Sequence, residues 1–487
     1  MKYDAIIIGS GAGGSAAAYH LTQTGKQVLL LEKGEQLPSD GSTLDVEKVL
    51  RHGTFLNDEP WWDREGNIVV PEEHFNLGGK TRWYGAALLR FSPGEFRADP
   101  SRGFLAWPIG YEDLEPYYEE AERLLDLRTF AVEPGLQRLV AGLKSTDVRW
   151  ASQPLPLGLS GDILQHRAEA AHFDGFASVE GLKSDAQNRF LDLVRRQPNL
   201  EIMTGRPVRA LLPAASDPRT VIGVECEDGS RYYGDSVLLA AGALHSPRLL
   251  QSYCEVTGLA ARLPAYRNIG RHYKSHVLTA MLAVAMRKVP DLLSKTVLLT
   301  HASFPYSSVQ TLGGRLAEEI VNIQAPRWLP RALSRPLGQR AIGLFLQTED
   351  GSHPDNRVVA ATGWPVRPQI DYSLARLPHA RTEHRSLVRT LRMQLLRLGY
   401  LPAVRPIPLS GTAHACGTLV SGVDPHSSVV DGEGRMHGME NLYVVDGSAL
   451  PRSSRVNPAL TIYAWGLRVA SRLARAPLER SSAVLHT

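Results

Sequence analysis

The sequence contains little cysteine. Its 487 residues include three cysteines, Cys226, Cys254 and Cys416, which lie far apart. This spacing excludes a disulfide framework, a C-x-x-C redox pair and an iron–sulfur cluster held by this chain alone. The first predicted strand begins almost at Met1, so the charged and apolar regions of a secretion signal are absent. We therefore expect a reduced, cytoplasmic protein, with export alongside a signal-bearing partner as the alternative.

Long apolar runs and strong net charge are also missing. No hydrophobic segment is long enough to cross a bilayer, and the formal net charge is +4. Because no helix-turn-helix or zinc-finger spacing occurs either, we expect no nucleic-acid partner. Acidic residues are absent from residues 325–347, where arginines are spaced among tryptophan and leucine. We expect a solvated loop and helix there, and the alternative is a docking patch for a partner or a membrane surface.

The chain begins with a predicted βαβ unit. Residues 5–8 form a short β-branched run that is typical of a strand buried on both faces. A glycine-rich turn follows, then a small-residue helix predicted over about 15–24. A second strand is predicted over 27–31. This order of elements is the context that a dinucleotide-binding turn requires.

The turn itself has the spacing G-x-G-x-x-G. Gly9 allows a tight turn, Gly11 lets a pyrophosphate approach the backbone, and Gly14 lets the helix pack closely on the sheet. Glu32 ends the second strand, 23 positions after Gly9. A carboxylate there accepts hydrogen bonds from ribose hydroxyls and disfavours a 2′-phosphate, so NADP is not expected. The turn alone does not separate FAD from NAD.

Further elements follow from periodicity and turn chemistry. Residues 111–127 and 376–398 are predicted to be amphipathic helices. A hairpin is predicted to turn at Asp228 and Gly229 and to lead into a buried strand over 237–240. No internal repeat is visible.

Three later segments carry a family resemblance. They are "NLGGKTRWYGAALLRFSPGEF" (76–96), "VLLAAGALHSPRLLQSY" (237–253) and the block from "HACGTLVSG" to "NPALTIYAWGLRVASRL" (414–473). These segments resemble the signatures of the glucose–methanol–choline (GMC) oxidoreductases, and "WPIGYEDLEPYYEEAE" (107–122) resembles the segment after the first signature. The resemblance spans nearly the whole chain, and the compact length and "GGKTRWYGAALLRF" resemble the bacterial sugar-dehydrogenase and pyranose-oxidase branch more than the long fungal glucose oxidases.

The resemblance implies an α/β fold with two domains. A Rossmann-like FAD-binding domain would be assembled from the discontinuous segments 1–98, 185–265 and 408–487. A substrate-binding domain, with an antiparallel sheet and flanking helices, would comprise 99–184 and 266–407.

FAD is the cofactor that the resemblance implies. It assigns contacts with FAD to residues of the fingerprint and the later signatures, namely Gly9, Gly11, Ala12, Gly13, Gly14, Glu32, Lys33, Gly78, Gly79, Gly85, Val208, Ala241, Asp446, Gly447 and Pro458. Some relatives attach FAD covalently to a histidine where this sequence has Trp83, so we expect non-covalent FAD. A cysteine-rich insertion of other relatives is missing, so electrons must leave the flavin directly. Oxygen, a quinone and a cytochrome all remain candidate acceptors.

His414 stands two positions before Cys416 in "GTAHACGTLVSG". The segment alone allows a Cys/His nucleophilic pair, half of a metal site or a proton acceptor. The resemblance places His414 and Asn457 beside the flavin N5. A neutral imidazole suits a base that takes the alcohol proton near neutral pH, and Asn457 would donate a hydrogen bond to the same oxygen. Cys416 is then expected to be a buried packing residue, and His276 to have a structural role.

The expected activity is oxidation of a small-molecule alcohol, such as a sugar, polyol or glycoside, by hydride transfer to FAD. One alternative is an FAD-containing lyase on the same scaffold, which keeps the cofactor without redox turnover. Another is a flavoprotein subunit of a membrane electron-transfer complex, for which residues 325–347 would be the docking patch. A disulfide reductase is disfavoured because no cysteine pair accompanies the FAD fingerprint.

Overall fold

A computed structural model describes residues 2–324, 331–359 and 367–475. Residues 325–330 of the arginine-containing segment lie outside the described residues. Its remainder includes a helix over Arg331–Gly338 and most of a strand over Ala341–Thr348. The predicted docking patch at 325–347 therefore stays a prediction.

The described chain alternates between strands and helices. The strands are β1 (Lys2–Ile8), β2 (Val28–Leu31), β3 (Trp61–Asp63), β4 (Ile68–Val69), β5 (Trp150–Pro154), β6 (Leu200–Met203), β7 (Val208–Pro213), β8 (Val221–Cys226), β9 (Arg231–Leu239), β10 (Val277–Val284), β11 (Val297–His301), β12 (Phe304–Thr311), β13 (Ala341–Thr348), β14 (Arg357–Val359), β15 (Gln369–Asp371), β16 (Leu401–Pro406) and β17 (Leu442–Val444). The helices are α1 (Ala12–Gln23), α2 (Tyr111–Leu124), α3 (Pro134–Thr146), α4 (Arg167–Ala171), α5 (Asp192–Val194), α6 (Gly242–Val256), α7 (Leu316–Gln324), α8 (Arg331–Gly338), α9 (Pro378–Arg397) and α10 (Ala459–Arg475).

The first sheet combines strands from the beginning, the middle and the end of the chain. Its order is β6-β2-β1-β9-β8-β7, and β17 also pairs with β9. The strands β6, β2, β1, β9 and β17 run parallel, and β8 and β7 are antiparallel. Ile6, Ile7, Leu29 and Leu30 are fully buried, as expected for parallel strands covered on both faces. This arrangement is the Rossmann-like sheet that the sequence predicts.

The second sheet is antiparallel, in the order β16-β10-β13-β12-β11-β5. On one face, Val309, Leu344 and Leu346 join the apolar side chains of α3 and α9 in a hydrophobic core. Because side chains alternate along a strand, the residues between them point to the opposite face. There Gln310 and Gln347 are buried and contact the segment that precedes α10. One face therefore stabilises the fold and the other faces the C-terminal segment.

The strands of the two large sheets follow the predicted division of the chain. Those of the first sheet lie within 1–98, 185–265 and 408–487, and those of the second within 99–184 and 266–407. A small sheet, β14-β15-β3-β4, pairs strands from both sets of segments. The domain boundaries themselves stay a prediction.

Most local expectations agree with the structure, although several boundaries differ by one to three residues: β1 begins at Lys2 and not at Ala5, and the helix predicted over 111–127 ends at Leu124. The hairpin between β8 and β9 is present, and its second strand continues to Leu239 as one element. The first helix begins at Ala12, three residues before the predicted start at Ser15, with Gly11 at its N-cap. The reason is that Gly13 and Gly14 lie within the helix and serve close packing rather than the turn.

The described residues also bear on three kinds of function: membrane spanning, metal binding and cysteine chemistry. None of their helices is long and apolar enough to cross a membrane. No group of three or more His, Cys, Asp or Glu side chains among them is arranged to hold a metal ion. All three cysteines are buried and free.

Candidate active site

The glycines of the N-terminal turn are required by backbone packing at three of their four positions. Gly9 has a φ of +105°, and a methyl group there would also overlap the carbonyl oxygen of Ala240. A methyl group on Gly13 would overlap the Val445 carbonyl, and one on Gly14 would overlap the Gly9 carbonyl. Gly11 differs, since its methyl group would have no described atom within 4 Å apart from those of Gly11 and its two chain neighbours.

The end of α1 at this turn can bind an anion. Its N-cap, Gly11, makes no side-chain capping hydrogen bond, and the first turn holds no acidic residue. Unpaired N–H groups and the helix dipole therefore point into the open space beside Gly11, as a pyrophosphate requires. Ala12 is the first residue of the helix. This geometry is compatible with the predicted phosphate site, which stays a prediction.

Glu32 lies at the end of β2 beside the same turn. Its Oε2 accepts hydrogen bonds from Ser10 N (2.9 Å) and Ser10 Oγ (2.6 Å), and its Oε1 accepts one from Gly34 N (3.0 Å). Burial raises the pKa of Glu32, and these hydrogen bonds act in the opposite direction. A carboxylate has about four acceptor positions, so Glu32 keeps capacity for a ribose hydroxyl. Together with Gly11, it fits the adenosine and pyrophosphate parts of FAD.

A second glycine loop packs against the turn. Gly78 N donates to Ser10 Oγ (2.9 Å), and both Gly78 and Gly79 have left-handed backbone, with φ of +88° and +56°. A methyl group on Gly79 would stand 3.3 Å from the Gly11 Cα. The loop therefore borders the open space beside Gly11. Gly85 lies farther along it, against a buried ion pair described below.

The C-terminal signature is tied to α6 through Asp446. Its Oδ2 accepts from Gly242 N (2.8 Å) and Ser246 Oγ (2.5 Å), and its Oδ1 accepts from both N and Oγ of Ser448. Because the carboxylate is engaged by the protein, any contact of Asp446 with FAD falls to its backbone. Gly447, the next residue, accepts a hydrogen bond from Gly417 N (3.0 Å), which places it beside the His414 segment.

The remaining predicted cofactor residues occupy varied positions. Lys33 forms an ion pair with Glu59, and its Nζ lies 3.9 Å from the centroid of the Phe75 ring. Val208 begins β7, Ala241 is the N-cap of α6 and Pro458 immediately precedes α10. Their roles toward FAD stay predictions.

His414 is held by a second histidine that the sequence analysis had assigned only a structural role. The Nδ1 atoms of His414 and His276 lie 3.2 Å apart, and His276 Nε2 lies 2.8 Å from the carbonyl oxygen of Ser454. His276 has a left-handed backbone conformation, with φ of +62°, and its side chain is buried. The pair thus links the His414 loop to the residues just before Asn457.

This chain of hydrogen bonds defines the tautomer of His414. A carbonyl oxygen only accepts, so His276 Nε2 must carry the proton that is donated to Ser454. In a neutral ring the His276 Nδ1 is then the acceptor, and His414 Nδ1 must donate to it. It follows that a neutral His414 has an unprotonated Nε2, which is the atom that a general base needs.

Both rings are neutral at ordinary pH. Burial lowers the pKa of His414 well below its usual value, and the nearby His276, Lys295 and Lys80 lower it further. Burial also lowers the pKa of His276. The electrostatics therefore agree with the tautomer that the hydrogen bonds require.

Asn457 is fixed between the first-signature loop and the second sheet. Its Nδ2 donates to the carbonyl oxygen of Ala87 (3.1 Å), in the first-signature loop, and its Oδ1 accepts from Gln310 Nε2 (2.9 Å), on β12. Both groups of the amide are thus positioned by residues far away in sequence. The side chain cannot swing away without breaking these hydrogen bonds.

The sheet register brings His414 and Asn457 toward one place. Gln310, which holds Asn457, is the direct cross-strand partner of Phe345 on β13. The Phe345 ring meets the His414 imidazole edge to face, with centroids 6.2 Å apart. Directly opposed residues of antiparallel strands project from the same face of the sheet, so Gln310 and Phe345 are neighbours there. The two predicted catalytic residues therefore contact neighbouring side chains.

Cys416 takes no part in this arrangement. Its backbone pairs with that of Lys274, and its side chain is fully buried. Burial raises the pKa of the Cys416 thiol to about 12, so the thiol stays protonated. This environment agrees with the expected packing role and not with a Cys/His nucleophilic pair.

Comparison with known proteins places the chain among flavoenzymes. The profile described as FAD dependent oxidoreductase matches residues 4–275, and the profile described as GMC oxidoreductase matches residues 403–466. The 6'''-hydroxyparomomycin C oxidase of Streptomyces lividus is 30% identical over 533 residues, which cover 97% of this chain and 91% of that protein. The paromamine 6'-oxidase of Streptomyces fradiae is 30% identical, with coverage of 99% and 93%.

More distant proteins agree with this picture. An oxygen-dependent choline dehydrogenase of Brucella anthropi is 24% identical and covers 99% of this chain and 97% of its own. Among solved structures, pyridoxine 4-oxidase from Mesorbium loti has a TM-score of 0.69 at 20% identity, with coverage of 96% of this chain and 98% of that one. At this identity the likeness shows a shared fold.

Proposed function

Because the chain belongs to the GMC oxidoreductases, which use FAD and act on alcohols, we propose that it oxidises an alcohol group of a sugar, polyol or glycoside with His414 as the base. The observation that carries this proposal is the His414–His276–Ser454 hydrogen-bond chain, which leaves His414 Nε2 unprotonated. Asn457 is the second residue of the proposed site.

His414 and Asn457 divide the handling of the alcohol oxygen. His414 Nε2 takes the hydroxyl proton, and His276 holds the ring in the required tautomer. Asn457 Nδ2 donates to the Ala87 carbonyl oxygen at 3.1 Å and to Gln310 Oε1 at 3.5 Å, and the N–H of the longer contact would turn to the alcohol oxygen as negative charge develops there. When bound, FAD supplies the acceptor for the hydride that leaves the carbon. Because a neutral imidazole cannot fully ionise an alcohol beforehand, proton removal accompanies hydride transfer.

We narrow the substrate to a glycoside. The two relatives at 30% identity are named for oxidising paromamine and a hydroxyparomomycin, which are aminoglycosides. Membership of the sugar-dehydrogenase and pyranose-oxidase branch also stays a proposal. The two alternatives, a lyase and a subunit of a membrane electron-transfer complex, make different predictions in one assay.

Alcohols should bleach the flavin in the absence of oxygen. We expect paromamine or a simple glycoside to reduce the enzyme anaerobically in a spectrophotometer, and choline to do so more slowly. Admitting air, and separately a quinone, then identifies the electron acceptor. Persistent yellow colour with every alcohol, combined with cleavage of a cyanohydrin, would favour the lyase. Activity that requires a co-purified haem protein would favour the membrane-complex subunit.

The flavin should be released by acid. Trp83 stands where some relatives attach FAD, and its indole Nε1 donates to Asn76 Oδ1 (2.9 Å) while its ring stacks on His74 at 4.6 Å. An indole offers no nucleophilic nitrogen for attachment, so we expect non-covalent FAD. Precipitation with trichloroacetic acid should leave the yellow chromophore in the supernatant. Flavin retained in the washed pellet would contradict this prediction.

A further inference from the structure

A buried ion pair lies beside the proposed active site. Lys295 Nζ donates to Asp174 Oδ2 at 2.8 Å, and the backbone N–H of Gly313 donates to the same oxygen at 2.8 Å. Asp174 and Lys295 are 8% and 7% exposed. Burial raises the pKa of Asp174, but the Lys295 ammonium and the hydrogen bonds outweigh it, so the pKa lies below its ordinary value. Asp174 is therefore the ionised partner of the Lys295 ammonium.

Gly85 allows this pair to reach the site. A methyl group on Gly85 would overlap both Asp174 Oδ1 and Lys295 Nζ. Two residues farther along the loop, the Ala87 carbonyl accepts the hydrogen bond from Asn457. The charged atoms thus lie against the same loop that positions Asn457. Lys295 also contributes to the lowered pKa of His414, as expected for a cation near the imidazole.

The pair keeps unused hydrogen-bonding capacity. Within the described part of the chain, Asp174 is the hydrogen-bond partner of Lys295, which leaves two ammonium N–H groups unengaged, and Asp174 Oδ1 accepts no hydrogen bond. Lys183 provides a contrast, because its buried ammonium donates to the carbonyl oxygens of Tyr84, Phe173 and Phe176. All three N–H groups of Lys183 are engaged, as a structural role requires.

A buried ion pair is costly unless its remaining hydrogen-bonding positions are filled. We propose that the Asp174–Lys295 pair binds a second hydroxyl group of the glycoside substrate, with Lys295 donating to that hydroxyl and Asp174 Oδ1 accepting from it. One hydroxyl can satisfy both groups at once, because it is both donor and acceptor. The pair is thereby a specificity determinant that holds the sugar ring while His414 and Asn457 act on the alcohol. This inference rests on the proposed function.

The test combines protein variants with substrate analogues that lack one hydroxyl. Methyl glucoside and its 2-, 3- and 4-deoxy analogues are compared by the rate of anaerobic flavin bleaching in the wild type, Lys295→Met and Asp174→Asn. In the wild type, one deoxy analogue should bleach the flavin about 10- to 100-fold less efficiently than the parent, as for loss of a hydrogen bond to a charged group. In both variants the parent should fall to the level of that analogue, and the difference between the two sugars should disappear.

Lys183→Met is the matched control. It removes another buried ammonium that contacts the same loop, so it should lower thermal stability while leaving the ratio between parent and deoxy sugars unchanged in the holoenzyme that remains. Lys295→Met could instead lower the bleaching rate by the same factor for every sugar, or leave all the rates unchanged. Either result would show that the pair has no role in recognition, and it would overturn the inference while the proposed function stands. If no glycoside bleaches the wild-type flavin, the glycoside proposal fails and this inference with it.

Discussion

Replacing His414 with alanine is expected to slow alcohol-driven flavin reduction by about 10²- to 10⁴-fold while FAD remains bound. The loss follows from the tautomer that His276 and the Ser454 carbonyl impose, because the variant removes the Nε2 lone pair that accepts the proton. Stopped-flow absorbance of the oxidised flavin under anaerobic conditions measures the rate. The visible spectrum before mixing reports FAD content in the same sample.

Cys416→Ser is the matched control for His414→Ala. It lies two positions away, is fully buried and changes a group that stays protonated, so it should keep reduction within a few-fold of the wild type. The pH profile provides a second readout. Because the pKa of His414 is lowered, the wild-type rate should be flat above about pH 6.5 and fall only below it, as the imidazole becomes protonated. Near-normal reduction by His414→Ala would remove this residue from the proposed role.

The geometry of the N-terminal glycine turn could be predicted because its signals are local in sequence. The strand, the glycine turn and the start of α1 are consecutive, and Glu32 follows at the end of the next strand. Backbone packing then requires glycine at Gly9, Gly13 and Gly14, which is why the pattern is recognisable at all. The start of α1 was misplaced, since the sequence does not show that two of these glycines are helical, and β1 begins three residues before its predicted start.

The partners of the two proposed catalytic residues could not be predicted in the same way. His276 is 138 residues from His414, and Gln310 is 147 residues from Asn457. Their contacts depend on the register between β12 and β13 and on the left-handed backbone at His276, and neither feature follows from hydrophobic periodicity. Nothing in the sequence around His276 indicated that its ring would contact His414, so only a structural role was expected for it.

The Asp174–Lys295 pair was missed for the same reason. Asp174 lies in an irregular segment and Lys295 precedes β11, so neither belongs to a motif. The residue that reveals them is Gly85, whose place in the first signature suggested contact with FAD. In the structure this glycine also leaves room for the two charged groups. The sequence indicated only the predicted contact of Gly85 with FAD and not its contact with the ion pair.

Gly11 borders open space whereas Gly13 is crowded by backbone atoms, so alanine substitutions at these two positions should have different effects on FAD affinity and on stability. Gly11→Ala should weaken FAD binding at least tenfold, about 1.4 kcal/mol, because its methyl group would occupy the space that the pyrophosphate must approach. The free energy of unfolding of the apoprotein should stay within about 1 kcal/mol of the wild-type value. The reason is that the methyl group would meet no described atom beyond its chain neighbours and that Gly11 lies at an N-cap. Flavin fluorescence titration and chemical denaturation of the apoprotein measure the two quantities.

Gly13→Ala should instead destabilise the apoprotein itself, by about 1–3 kcal/mol or more. Its methyl group would overlap the Val445 carbonyl, and Gly466 of α10 already packs against the Gly13 backbone. α1 would have to move away from the C-terminal segment, which carries Asn457 and adjoins the His414 loop. FAD affinity should fall as a consequence of that movement, so denaturant resistance and cofactor binding should be lost together. Two results would contradict these predictions: loss of FAD binding without loss of stability in Gly13→Ala, or loss of apoprotein stability in Gly11→Ala. In either case the open space beside Gly11 could not be the pyrophosphate site.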